Sequence, residues 1–278
     1  FFFKQKTAYE ISTRDWSSDV CSSDLTMSSH LTILTGASRG MGLAMAMHRC
    51  QPGQSLLCIS RGQSDALAQH AQRQQTKLWQ WQADLAQPHA VAQQLEQWLD
   101  QLDHSSLSSA TLINNAGVIG HLGPIEDADA SSLTQGLAIN LQAPMLLCGV
   151  FLKHTRTWGM PRKVLNISSG LGRRPMAASA LYCATKAGLD HFTRCLALDE
   201  ALQPHPASVV SLAPGVIDTD MQTELRSAKG AGFPDQAVFQ QMKQSGTLSS
   251  PEDAAQRVLN YLNRPDFGSQ PVADVRDI

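Results

Sequence analysis

The 278-residue chain lacks most of what would mark it for a membrane, a metal or a nucleic acid. No uninterrupted apolar run approaches the ~18 residues that a transmembrane helix needs. Its nine histidines form no His-Glu-x-x-His cluster or similar ligand spacing, so no metal site is expected. Basic and acidic residues number 22 and 24, the net charge is −2, and the basic side chains are scattered, so no nucleic-acid surface is implied. Six cysteines show no paired spacing, which suits a reducing cytoplasm better than an export route. There is no internal repeat and no low-complexity tract. What remains is enough chain for one domain of ordinary size with a large core.

Residues 1–25 stand apart from that domain. They show no amphipathic period and no apolar core of a signal peptide. Residues 4–11 and 15–25 resemble the two constant parts of a sequencing-library adapter translated in one frame, with Ser12, Thr13 and Arg14 as the variable index between them. This segment is expected to be non-native. The functional domain is taken as residues 27–278, with Met27 as a natural start.

From Leu31 onward the chain alternates strand-like and helical stretches. Strands are predicted at 31–34, 55–60, 77–82, 110–114, 164–167, 208–213 and 271–275. Helical spacing follows the glycines after Thr35 and covers 88–102, 131–155, 182–202 and 251–262. Alternation of this kind predicts an α/β fold, a parallel sheet covered by helices on both faces, with ligands at the carboxyl ends of the strands. Residues 219–250 break the rhythm and hold Gly230, Gly232, Pro234 and Gly246.

The first strand runs directly into Thr35-Gly36-Ala37-Ser38-Arg39-Gly40-Met41-Gly42 and then into a helix. Gly36 permits a tight turn, Gly40 lets the backbone approach a pyrophosphate, and Gly42 lets the helix pack close to the strand. A helix N-terminus there presents free N–H groups and partial positive charge to phosphates. Gly36, Ser38, Arg39, Gly40, Met41 and Gly42 are therefore candidate cofactor contacts. The spacing is G-x3-G-x-G rather than the commoner G-x-G-x-x-G. An acid about 20 residues further on would bind the ribose 2′-hydroxyl of NAD. Here the second strand ends in Ser60 and Arg61, with no carboxylate before Asp65. Two guanidiniums, Arg39 and Arg61, suit a 2′-phosphate, so NADP(H) is the expected cofactor; the other reading of Arg61 is a solvated charge at a strand end.

Tyr182 and Lys186 stand four apart and share one face of a helix, and Ser169 precedes the tyrosine by 13 residues, just after an apolar strand. A free phenol has a pKa near ~10 and is a poor acid–base group at neutral pH. An ammonium within about 4–6 Å is expected to favour the phenolate and draw that pKa toward neutrality. The serine hydroxyl can hold a substrate carbonyl against the tyrosine while a hydride arrives. A serine hydrolase is excluded, because Ser169 lacks the glycine two residues before it that a nucleophile elbow needs.

With these motifs in order, residues 30–278 resemble a short-chain dehydrogenase/reductase. Asn114-Asn115-Ala116-Gly117 is similar to the family's fourth-strand motif, Asp84 to its adenine contact and Asn140 to the asparagine that completes a proton relay through water. Pro214-Gly215-Val216-Ile217-Asp218-Thr219 is similar to the segment flanking the nicotinamide. The resemblance implies a single Rossmann-type doubly wound parallel sheet. It implies catalytic Ser169, Tyr182, Lys186 and Asn140. Further cofactor contacts would come from Asp84, Asn115, Ala116, Gly117, Tyr182, Lys186, Pro214, Gly215, Ile217 and Thr219. It also implies a substrate lid at about 219–250 and a homodimer packed through helices 131–155 and 182–202.

Residues 145–154, 166–172, 216–222 and 272–277 look like the branch that holds sepiapterin reductases and bacterial benzil reductases, which reduce a carbonyl beside another carbonyl or imine. A vicinal dicarbonyl or pterin-like small molecule is then the expected substrate, contacted by Ser169, Tyr182, Met221 and Phe233. In sepiapterin reductases an aspartate near the C-terminus anchors the pterin, and Asp274 matches it; the other reading of Asp274 is a solvated acid near Arg276. A 3-ketoacyl thioester reductase and a non-catalytic NADP-binding redox sensor are the alternatives in function.

Overall fold

The structure is a computed structural model and describes residues 29–228 and 233–277. The adapter-like segment 1–25, Met27, and Gly230 and Gly232 of the expected lid lie outside the described residues.

Seven strands form one fully parallel sheet in the order β3-β2-β1-β4-β5-β6-β7. They are β1 (Ser29–Thr35), β2 (Ser55–Ser60), β3 (Lys77–Gln82), β4 (Leu107–Asn114), β5 (Arg162–Ile167), β6 (Ser208–Ala213) and β7 (Val272–Asp274). The helices are α1 (Gly40–Arg49), α2 (Asp65–Arg73), α3 (Pro88–Gln101), α4 (Ala130–Leu137), α5 (Ala143–Thr155), α6 (Ala180–Ala201), α7 (Asp220–Ser227), α8 (Gln236–Gln244) and α9 (Pro251–Leu262). The strand order reverses between β1 and β4, and an open α/β sheet binds its ligands at such a switch point.

Period-two alternation sends successive side chains of a strand to opposite faces. In β1, Leu31 and Ile33 enter the core beneath α3 and α5 with Leu95, Leu147 and Phe151, while Leu34 enters the core beneath α1 and α9 with Met45, Val258 and Leu259. Sequence periodicity located every strand but missed α2, whose polar helix Asp-Ala-Leu-Ala-Gln-His-Ala-Gln-Arg buries only Leu67 and Ala71.

The single helix expected over 131–155 is interrupted. Residues Ala138–Gln142 form a π turn between α4 and α5. Pro144 has no N–H, so the carbonyl of Asn140 lacks its ordinary helical donor, and the ring crowds that carbonyl. The ladder widens there instead of closing. The stretch Ala130–Trp158 is long and apolar enough by composition to cross a membrane, which the search for uninterrupted runs overlooked. More than half of its most apolar part is buried against the sheet and α3, as expected of a core helix.

Candidate active site

A cavity of about 750 Å³ opens at the carboxyl ends of the strands. Its walls come from the glycine loop after β1, the β4–α4 connection, the turn after β5, the start of α6 and the segment after β6. Every sequence-derived catalytic and cofactor candidate except Asn140 lies on it, as does Met221.

At one end is the glycine cradle. A Cβ on Gly42 would stand 2.0 Å from the Gly36 carbonyl oxygen, and one on Gly36 would stand 2.9 Å from the Ala116 backbone. Both positions therefore exclude any larger residue, and Gly36 also has φ +71°. No side chain caps the N-terminus of α1, so its first-turn N–H groups remain for an anionic ligand. The cradle is tied to the rest of the site by Thr35. Its hydroxyl accepts from the backbone N–H of Asn115 (3.0 Å) and Ala116 (3.1 Å), while the Asn115 amide donates to the carbonyls of Thr35 and Gly36. Ser60 accepts from Ala37 N–H at 2.8 Å. Thr35 was not singled out in the sequence; a threonine ending a strand beside a glycine loop was the available signal. These residues fit a dinucleotide: a backbone-lined cradle for phosphates, Asp84 on the wall and Arg61 exposed at the rim. Arg39 donates to Asp220 across the groove at 2.7 Å, an exposed pair joining the loop to the lid.

At the other end, Ser169 follows β5 and its hydroxyl accepts from Leu171 N–H at 3.2 Å. Tyr182 and Lys186 sit on the first turns of α6, both buried, and the Lys186 ammonium lies 5.7 Å from the Tyr182 ring centre. Lys186 donates to the Ile167 carbonyl at 2.8 Å. Asn140 is fully buried; its side-chain oxygen accepts from Val118 N–H (2.9 Å) and its amide donates to the Val118 carbonyl (2.8 Å) and the Thr185 hydroxyl (3.2 Å). Its side chain thus fastens the β4–α4 loop to α6, and a Cβ on Gly117 would touch both the Asn140 oxygen and the Lys186 ammonium. A buried polar chain from Asn114 through Asn166 to Thr193, unmarked in the sequence, links β4, β5 and α6 beneath the site.

The electrostatics correct one expectation. Burial pushes the Tyr182 phenol up to about 12, with the Ser169 hydroxyl only partly opposing it. Burial also draws the Lys186 ammonium down to about 8, with nearby Asp190 opposing. The phenol moves away from neutrality, and loss of water is the largest cause. Tyr182 is therefore a neutral proton donor at pH 7.

Two substrate expectations also change. Asp274 is buried (4 % exposed) and is not on the cavity wall among the described residues. Its carboxylate accepts from Arg276 Nε (2.8 Å), Nη2 (2.5 Å) and backbone N–H (3.0 Å), and it is Arg276 that faces the cavity. Phe233 is buried within the lid, stacked on Phe239 at 5.7 Å, and it is Phe239 that reaches the wall. Its apolar cluster includes Tyr182, Ile119 and Met176, so Phe233 supports the site from behind. The lid is pinned at its root: Ile217 and Ser249 form a parallel bridge, with Asp218 N–H donating to the Ser249 carbonyl and Ser249 N–H to that of Val216.

A glycine cradle at the switch point of a parallel sheet, with a Ser-Tyr-Lys set in the same cavity, defines the site of a nicotinamide-dependent oxidoreductase. The sequence pattern of the short chain dehydrogenase family matches residues 30–230, and the chain belongs to that family. It is 35 % identical to benzil reductase ((S)-benzoin forming) of Bacillus cereus over 84 % of this chain and 94 % of that one. It is 32 % identical to sepiapterin reductase of Meriones unguiculatus over 88 % and 95 % of the two chains. The crystal structure of a short-chain dehydrogenase/reductase from Burkholderia vietnamiensis superposes with TM-score 0.58 at 29 % identity, covering 90 % and 99 %. The chain is thus a carbonyl reductase of the branch those two curated relatives represent.

Proposed function

We propose that the chain is an NADPH-dependent reductase of vicinal dicarbonyls. The observation that carries the reading is the convergence of Ser169, Tyr182 and Lys186 on the cavity that also holds the glycine cradle. Reduced nicotinamide, when bound, supplies the hydride. Ser169 donates to the substrate carbonyl and orients it. Tyr182, held neutral by burial, donates its proton to the oxygen as negative charge develops there. The Lys186 ammonium stabilises the phenolate that remains, and in the family's arrangement also holds the nicotinamide ribose. Pro144 leaves the Asn140 carbonyl free to hold the water of the relay.

NADPH rather than NADH is supported by Arg39 and Arg61 on the groove and by the lack of an acid at the end of β2. Arg39 would exchange Asp220 for the 2′-phosphate. Self-association through α5 and α6 is supported by Leu198 on α6 and Leu202 just past its end, exposed by 70 % and 83 %, and by Met145 on α5. Five described cysteines are unpaired thiols, which suits the cytoplasm.

The test is NADPH oxidation by the full chain with benzil, 1-phenyl-1,2-propanedione, a pterin, a quinone and acetoacetyl thioester. Reduction of the 1,2-diketones is the expected result; reduction of the thioester alone would replace this reading with the thioester one, and NADPH binding without any turnover would replace it with a sensor.

A further inference from the structure

The cavity wall holds more cationic than acidic side chains. Among the described residues, seven cationic side chains and three carboxylates line it. The three carboxylates are engaged: Asp220 by Arg39, Asp218 by Arg226 and Lys243, and Asp84 by the N–H of Ala86. Arg61 serves the adenine end and Lys186 the reacting centre. Arg174 and Arg276 are left over, and both belong to the substrate end.

Both are anchored near Gly170, the residue after Ser169, Arg174 by its backbone and Arg276 by its side chain. Arg174 N–H donates to the Gly170 carbonyl at 3.1 Å, and Arg276 Nη2 would lie 3.4 Å from a Cβ on Gly170. Arg276 is a mounted group. Buried Asp274 grips its Nε and Nη2, no described residue bonds its Nη1, and the side chain lines the cavity. That pair is neutral overall. Arg174 adds the net positive charge: it is exposed, lines the cavity and forms no ion pair among the described residues, whereas its neighbour Arg173 pairs with Asp190 and bonds the Ala273 carbonyl. A guanidinium presents planar paired donors that match a carboxylate.

We propose that Arg174 and Arg276 form a carboxylate subsite beside Ser169, so that the substrate class includes 2-oxo acids, dicarbonyls whose second carbonyl is an ionised carboxylate. The ketone lies against Ser169 and Tyr182, and the carboxylate next to it lies against the two guanidiniums. This rests on the carbonyl-reductase reading. It departs from an N–H-bearing ring held by Asp274, because Asp274 is already spent on Arg276.

The experiment compares phenylglyoxylate with its methyl ester, which has the same skeleton and no charge, using the full chain and NADPH. The wild type reduces both. In Arg174→Ala the KM for phenylglyoxylate rises about 10- to 100-fold, the range for losing a charged hydrogen bond, with a much smaller change in kcat. The ester's KM and that of NADPH move far less, and Arg174→Lys recovers part of the loss. Raising the salt from about 0.05 to about 0.5 M weakens the acid and not the ester. Arg276→Lys, which keeps a cation against Asp274, loses the acid selectively as well. Equal losses on acid and ester, a raised KM for NADPH, or a wild type that reduces the ester and not the acid would overturn the subsite while leaving the reductase standing. Failure with both compounds and with benzil would instead overturn the reductase reading.

Discussion

The glycine-loop side of the cavity and the lid-and-tail side are built on opposite principles. On the first, backbone meets backbone: Gly36, Gly42, Thr35 and Asn115 interlock within about 3 Å, and no side chain there can grow. On the second, long side chains make the contacts: Arg39 pairs with Asp220, Arg276 with Asp274, and Phe233 packs into an apolar cluster. The fixed side binds what all members of the family bind. The adjustable side is the one proposed to select the substrate.

The largest expected effect lies where the two sides meet. Tyr182→Phe should lower kcat by about 10²–10⁴-fold while NADPH still binds, since that is the usual contribution of a positioned acid. Near wild-type turnover in steady-state assays would remove Tyr182 from the chemistry. Next, Phe233→Ala tests whether the adjustable side has a core of its own. Emptying the stack on Phe239 should cost about 3 kcal/mol, seen as a lowered urea midpoint, with activity retained in the fraction still folded. If the midpoint stays put and only the substrate KM rises, Phe233 is a contact after all.

Arg61→Asp should shift the NADPH/NADH ratio of kcat/KM by about 10- to 150-fold toward NADH, with Arg39 retaining part of the preference. An unchanged ratio would make Arg61 an ordinary surface charge. The smallest effect is graded with pH. Lys186 falls from 10.5 to about 8 on burial, so above pH 8 the ammonium is lost and the reduction rate should decline about tenfold per unit. Stability moves the other way. The unfolded chain holds the proton up to about 10.5, so between about pH 8 and 10.5 the wild type should gain on Lys186→Met, and below pH 8 it should carry the full cost of a buried charge. A flat stability difference across that window would mean that Lys186 is not desolvated.

Legibility followed the same division. Every strand, the glycine loop and the Ser-Tyr-Lys spacing could be read directly, because a strand's apolar run, a turn's glycines and a four-residue helical offset are local facts. Helix α2 was missed because its buried stripe is two residues wide. The π turn at Asn140 was missed although its cause, Pro144, stands in the sequence; an apolar helical period hides a single absent N–H. Asp274 and Phe233 were assigned to the substrate by their position in the chain, and both went elsewhere.

The sequence by itself determined the parallel fold, the glycine cradle and the candidate reacting side chains, since each is written in a few consecutive residues and enforced by backbone geometry. Tertiary structure alone decided that burial raises the Tyr182 phenol instead of lowering it, that Arg276 and not Asp274 faces the cavity, and that Phe233 packs against Phe239 in the core of the lid. The physical reason is range. Desolvation and ion pairing depend on which distant segments close over a group, here α6 under the lid cluster and the tail beside the Ser169 turn, and no local pattern encodes that closure.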